Sequence, residues 1–223
     1  MSTINIAIDG PSGSGKSTLA KSLAEKLGYV YVDTGAIYRT VGLYAMQNDI
    51  DPHDEAALSA RFSDIDIRLV WDGGGQKVFL GGKDVSEDIR TPKASMYASA
   101  VSALPAVRAF LLDMQRKIAD ENNVIMDGRD IGTVVLPNAC VKIFMSAHPE
   151  IRAKRRYKEL VSKGKQVTYD DVYRDMVERD KNDSTRASCP CVPAKDAVLF
   201  DNSALSLEET LSEALKIIEG KMQ

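Results

Sequence analysis

The sequence predicts an α/β fold in which a five-stranded parallel sheet carries helices on both faces and a small inserted antiparallel β-meander. Three observations predict it. Five short runs, residues 4–8, 29–32, 124–126, 141–145 and 197–200, are almost wholly apolar and do not alternate. Strands covered on both faces read that way. Seven helical patterns lie between or after them: Lys16–Leu27, 36–47, 93–103, 106–121, Pro149–Ser162, 169–180 and 207–219. Strands that alternate with helices imply right-handed crossovers and a parallel sheet. Residues 64–90 alone break the rhythm and alternate at period two.

Taken in order, the first run leads into GPSGSGKS, residues 10–17, and then into a helical pattern. The second ends in DTGAIYR, residues 33–39, where Asp33 or Thr34 caps a helix and Arg39 lies in its first turns. In the period-two stretch, Ile65, Ile67, Leu69 and Trp71 share one face. The triple glycine 73–75 then turns into a second strand at 77–80, and Gly81 and Gly82 lead to a third. The third core run ends in DGRDIGT, residues 127–133, with Arg129 between two carboxylates at the C-terminal edge of the sheet. Ligands of doubly wound sheets bind at that edge. Residues 149–186 hold eleven Lys/Arg against eight Asp/Glu, so this stretch is +3 and the remainder of the −3 chain is −6. The excess is either a solvated helical face laced with i,i+4 pairs or a collar for an anion. Its end, ERDKNDSTR (178–186), supplies Arg179, Asp183 and Arg186.

The bulk properties narrow the function. With 223 residues, 44% of them hydrophobic, the chain buries a substantial core. No apolar run approaches the ~18 residues of a membrane span, so no membrane role is expected. The start lacks a basic segment and a cleavage site, and the three cysteines are an odd count, so reduced thiols and a cytoplasmic location are expected. Cys189-Pro190-Cys191 is a single CxC, open to a metal role or a structural one. The net negative charge argues against a nucleic-acid partner.

Gly10, Pro11, Ser12, Gly13, Ser14, Gly15, Lys16 and Ser17, followed by Thr18, fit G-x-x-x-x-G-K-S/T between a strand and a helix. Glycines let the backbone turn its N–H groups inward, and the helix N-terminus adds positive potential. Lys16 reaches the terminal phosphates and Ser17 is placed to ligate Mg²⁺. The turn therefore holds a nucleoside triphosphate. Asp127 either supports Mg²⁺ through water or serves as a turn residue. No Asn-Lys pair exists for a guanine-reading motif, and the glycines at 73–75 do not open a helix as a transporter signature would. The phosphoryl acceptor is then sought among Arg39, Arg129 and Arg186, because the planar guanidinium fork binds two oxygens at once.

DGPSGSGKST, DTGAIYR, DGRDIGTVV, DVSEDIRT and ERDKNDSTR, in this order and spacing, resemble the bacterial cytidylate kinases, and the resemblance runs over essentially the whole chain. It implies a nucleoside-monophosphate kinase that phosphorylates CMP or dCMP from ATP with Mg²⁺. It implies a core P-loop domain (1–33, 122–148 and 187–223), an acceptor-binding region (34–121, with the meander at 64–90) and a helical lid (149–186). The implied core strand order is second, third, first, fourth, fifth. Carried onto this chain, the acceptor phosphate falls to Arg39, Arg129 and Arg186, the cytosine to Ser99, Arg108 and Asp130, and the ribose to Asp183, with Thr34 also in the acceptor site. Arg152, Arg155, Arg156 and Arg179 fall in the lid, the last two with Lys16, Arg129 and Arg186 as catalytic charges. A monomer is expected. From the residues alone, a P-loop kinase for another small acceptor and a nucleotide-dependent switch both stay open.

Overall fold

The computed structural model describes residues 3–71 and 75–222. In chain order the elements are β1 (Asn5–Asp9), α1 (Lys16–Leu27), β2 (Val30–Asp33), α2 (Thr34–Gln47), α3 (Glu55–Ser59), β3 (Ile67–Trp71), β4 (Gln76–Leu80), β5 (Lys83–Asp84), α4 (Pro92–Val101), α5 (Pro105–Glu121), β6 (Val124–Gly128), β7 (Val141–Ser146), α6 (Pro149–Ser162), α7 (Tyr169–Thr185), β8 (Val198–Asp201) and α8 (Leu207–Met222). The five-stranded sheet has the order β2-β6-β1-β7-β8, which is the core order the resemblance implies. Parallel register pairs Ile6 with Val141 and Ile143 with Val198. Because both faces are covered, Ile6, Ile8, Ile125, Met126 and Ile143 are almost wholly buried, which explains the absence of alternation in the sequence.

The chain divides into two compact units, Val30–Val124 and a second built from Ile4–Tyr29 and Ile125–Gln223. In the first unit α2, α4, α5 and the meander share a core that includes Ile37, Val41, Ile67, Val78, Ile89, Val101 and Leu111. Gly42 allows α2 and α4 to approach closely, since a Cβ there would stand 3.0 Å from the Ala98 nitrogen and from Tyr97 Cβ. The meander is antiparallel as expected, with Trp71 opposite Gln76 and Leu80 opposite Lys83. The turn expected at 73–75 lies outside the described residues except for Gly75.

Three local features depart from the sequence reading. Helix α2 starts at Thr34, two residues early, because the Asp33 carboxylate caps it through the Ala36 N–H at 2.9 Å. The short α3 was not anticipated; Asp54 caps it and Leu58 anchors it in the core. Helix α7 runs to Thr185 and not to 180, so Asp183 is a helical residue. No single helix among the described residues is long and apolar enough to cross a membrane.

Candidate active site

The second unit builds its site at the ends of β1 and β6. After Asp9 the chain turns through Gly10, Gly13 and Gly15, whose φ angles of 147°, 72° and 90° belong to glycine. Gly10 is obligatory for a second reason: a Cβ would stand 2.0 Å from the Met145 carbonyl oxygen. Helix α1 starts behind Gly15 with no side-chain cap, which leaves its N-terminal donors for an external anion. Ser14 is fully buried, and its hydroxyl has no partner among the described residues. Lys16 is also buried and donates to the Pro11 carbonyl at 3.0 Å. Burial, aided by the Arg129 guanidinium, pushes its ammonium down to about 7. Ser17 and Thr18 are exposed at the helix start. The Ser17 hydroxyl donates to Asp127 Oδ2 at 2.7 Å across 110 residues of sequence, placing an alcohol and a carboxylate side by side.

Beyond β6 the chain makes a single wide turn, Ile131–Val135, closed by a Leu136 N–H to Ile131 C=O bond of 2.7 Å. Asp9 fixes this turn by accepting from the Ile131 and Gly132 N–H groups at 2.8 and 2.7 Å. Burial pushes the Asp9 carboxyl up to about 6, against the pull of those two hydrogen bonds. Arg129 donates from Nε to Asp183 Oδ2 at 2.8 Å, and Arg179 stands 3.9 Å from the same oxygen. Burial raises the Asp183 carboxyl, but Arg129 and Arg179 outweigh it and hold the group below the usual range. Arg186 approaches Asp130 at 3.5 Å and donates from Nε to the Cys189 carbonyl at 2.6 Å. Two anchors from α6 hold the glycine turn. Arg152 donates to the Ala147 and Ser12 carbonyls at 2.8 Å each and pairs with Asp180, whose other oxygen accepts from the Ser12 N–H at 3.0 Å. Arg155 donates to Asn202, whose amide donates to the Ser14 carbonyl at 3.1 Å. Arg156 pairs instead with Glu159 on the surface at 2.8 Å.

The first unit carries the other predicted residues. Thr34 is buried at the start of α2. Arg39 donates from Nη2 to Asp33 Oδ2 at 2.8 Å. Arg108 is buried on α5, donates to the Ser102 carbonyl at 3.1 Å and lies 5.5 Å from the centre of the Tyr38 ring. Ser99 is half-buried on α4, its carbonyl accepting from the Ser102 hydroxyl at 2.9 Å.

A cytidylate kinase family model matches residues 6–220. The chain is similar to a cytidylate kinase of Caldicellulosiruptor bescii, 50% identical over 97% of this chain and 96% of that one. It is 47% identical to a cytidylate kinase of Carboxydothermus hydrogenoformans over 98% of both chains. The chain belongs to the cytidylate kinase family. Its fold is similar to that of a crystal structure of an uncharacterized protein from Eubacterium ventriosum, with a TM-score of 0.55 at 13% identity, covering 97% of this chain and 99% of that one.

Within this family member the second unit draws Lys16, Asp127, Arg129, Asp130, Arg179, Asp183 and Arg186 into one linked group. Sequence reading missed Asp9 and Asp180. A carboxylate that ends a wholly apolar strand was the available signal for Asp9. Asp180 gave none, because its partner at Ser12 lies 168 residues away. Among the described residues no group of three His, Cys, Asp or Glu side chains is placed to hold a metal ion, Cys189 and Cys191 included.

Proposed function

We propose that the chain transfers the γ-phosphoryl group of ATP to CMP or dCMP, giving ADP and CDP or dCDP. The observation that carries this reading is the uncapped α1 N-terminus with the buried Lys16 ammonium, in a chain matched from residue 6 to residue 220 by the cytidylate kinase model. Backbone N–H groups of residues 13–16 and Lys16 cradle the donor phosphates. Ser17 would hold Mg²⁺ directly and Asp127 through water, with the remaining positions left to phosphate and water, as this hard ion prefers. Bound there, Mg²⁺ would neutralise charge on the triphosphate.

Arg39, Arg129 and Arg186 hold the acceptor phosphate, and Ser99, Arg108 and Asp130 read cytosine. The cytosine amino group suits the Asp130 carboxylate, whereas uracil would set two acceptors against each other. Asp183 and Thr34 orient the ribose end of the acceptor. Phosphoryl transfer requires positioning and charge neutralisation above all, and Arg129, Arg179 and Arg186 supply positive charge beside Lys16. Residues 149–186, with Arg152, Arg155, Arg156 and Arg179, act as a lid that excludes water. The acceptor phosphate is already ionised, so no strong general base is needed. The same reading makes the protein a cytoplasmic monomer that uses neither nucleic acid nor membrane.

An ADP-release assay with CMP, dCMP, UMP, AMP and GMP tests the proposal. CMP and dCMP should turn over fastest. Preference for another monophosphate, or hydrolysis of ATP that no acceptor accelerates, would overturn it.

A further inference from the structure

Strand β2 lies at one end of the five-stranded sheet, so among the described residues one of its long edges lacks a neighbouring strand. An exposed edge leaves every second residue with an N–H and a C=O directed outward. Val30 is directed inward and donates to the Asn123 carbonyl at 2.9 Å. Tyr31 and Asp33 therefore face the open edge. Two side chains of the meander meet their backbone groups. The Trp71 indole N–H donates to the Tyr31 carbonyl at 2.7 Å. The Gln76 carboxamide accepts from the Asp33 N–H at 2.8 Å and stands 3.4 Å from the Asp33 carbonyl through its nitrogen. Trp71 and Gln76 are the last facing pair of the β3–β4 hairpin, so one end of the hairpin spans two successive outward positions of β2.

Asp33 is not an ordinary edge residue. Its Oδ1 caps α2 through Ala36 and its Oδ2 holds Arg39 at 2.8 Å. Gly35 leaves room for that guanidinium, since a Cβ there would stand 3.1 Å from both Arg39 Nη1 and Asp33 Oδ1. The backbone of Asp33 is thus fixed by Gln76 while its carboxylate fixes Arg39. We infer that Gln76, supported by Trp71, is a positioning residue for the acceptor: the hairpin end sets the β2 edge, and through Asp33 it sets the direction of Arg39. The inference rests on the reading of Arg39 as a ligand of the acceptor phosphate. It gives the inserted meander a task within the acceptor-binding unit.

The test is a double-mutant cycle on the full chain with Gln76→Leu, Arg39→Ala and both together, read by steady-state kinetics with CMP and ATP. Leucine keeps much of the glutamine bulk and removes the acceptor of the Asp33 N–H. Gln76→Leu should raise KM for CMP about three- to tenfold, as expected for one hydrogen bond lost at second hand, and leave KM for ATP unchanged. Arg39→Ala should raise it by roughly ten- to a hundredfold, and the double variant should match Arg39→Ala alone, because residues that act through each other do not add. Full additivity, or equal losses toward CMP and ATP, would make Gln76 a merely structural residue and overturn the inference. No change in Gln76→Leu would overturn it as well. If Arg39→Ala itself leaves KM for CMP unchanged, the reading of Arg39 fails and the inference fails with it. Should Gln76→Leu not fold, Trp71→Phe, which keeps an aromatic ring and removes the indole donor, replaces it in the cycle under the same criteria.

Discussion

Two strand-to-helix junctions of this chain, β1–α1 and β2–α2, start alike and end differently. Each leaves the C-terminal end of a parallel strand and opens a helix. Between Asp9 and Lys16 the chain inserts a glycine turn, and α1 opens without a side-chain cap. Between β2 and α2 nothing is inserted, and Asp33, the last strand residue, caps the helix with its own carboxylate. The first junction keeps its N-terminal donors for a guest, and the second has already used one on itself. A helix N-terminus binds an anion only where the chain withholds its own. The second junction offers instead an arginine, and that arginine needs a carboxylate to aim it.

The sharpest way to break the first junction is Lys16→Met. Loss of one preorganised charge should lower kcat by about 10²–10³. The melting temperature without nucleotide should not fall, because burial drives the ammonium pKa down to about 7, so the charged form costs the empty fold stability and does not support it. Wild-type turnover would remove Lys16 from the chemistry. Next comes charge pairing, the device of the second junction, as it recurs between Arg129 and Asp183. Asp183→Ala leaves the shielded Arg129 guanidinium without its carboxylate and should cost about 3 kcal/mol in urea unfolding at neutral pH. The sign with pH is fixed: the folded Asp183 carboxyl lies below its unfolded value, so its stabilisation is complete above about pH 4 and disappears as pH falls through the folded value. Wild type and Asp183→Ala should therefore converge in strong acid; a constant gap would show that shape, not charge, is lost.

Glycine substitutions separate the junctions more finely. Gly10→Ala places a methyl group against the fixed Met145 carbonyl at a φ of 147°, and should cost at least about 2 kcal/mol together with ATP affinity. Gly35→Ala meets side-chain ends of Arg39 and Asp33 and no backbone, and alanine favours the helix. Its stability should change by less than about 1 kcal/mol while use of CMP weakens. If both variants lose stability alike, the two turns are built on the same terms and the contrast between them fails.

The two junctions were unequally legible in the sequence. The glycine turn is written in eight consecutive residues, because backbone donors require a local conformation and nothing remote. The strands and helices of the sheet were legible for a similar reason: burial on both faces imposes an apolar run wherever it occurs. What joins Arg129 to Asp183, Asp9 to the turn at Ile131, and Gln76 to Asp33 lies 54, 122 and 43 residues apart. Such pairs leave no period and no spacing in a single sequence. Arg129 was noticed between two adjacent carboxylates, yet it pairs with neither and turns to a helix far along the chain. Asp33 was read as one of two possible caps, but its second oxygen and its backbone, which bind Arg39 and Gln76, had no sequence signature. The resemblance to the cytidylate kinases supplied roles for Arg39, Arg129 and Asp183, but none of these pairings and nothing for Asp9 or Gln76.

Trp71 is the only tryptophan among the 223 residues, and it lies partly exposed with its indole N–H on the β2 edge. The tryptophan emission of the intact chain, excited apart from its eight tyrosines, therefore comes from a single, known place. Its wavelength is set by water at the hairpin end and by one hydrogen bond to the Tyr31 carbonyl. The protein thus carries a built-in optical reporter of its first unit: any ligand that tightens or loosens the grip on β2 will shift the colour and yield of that one indole, with no label attached.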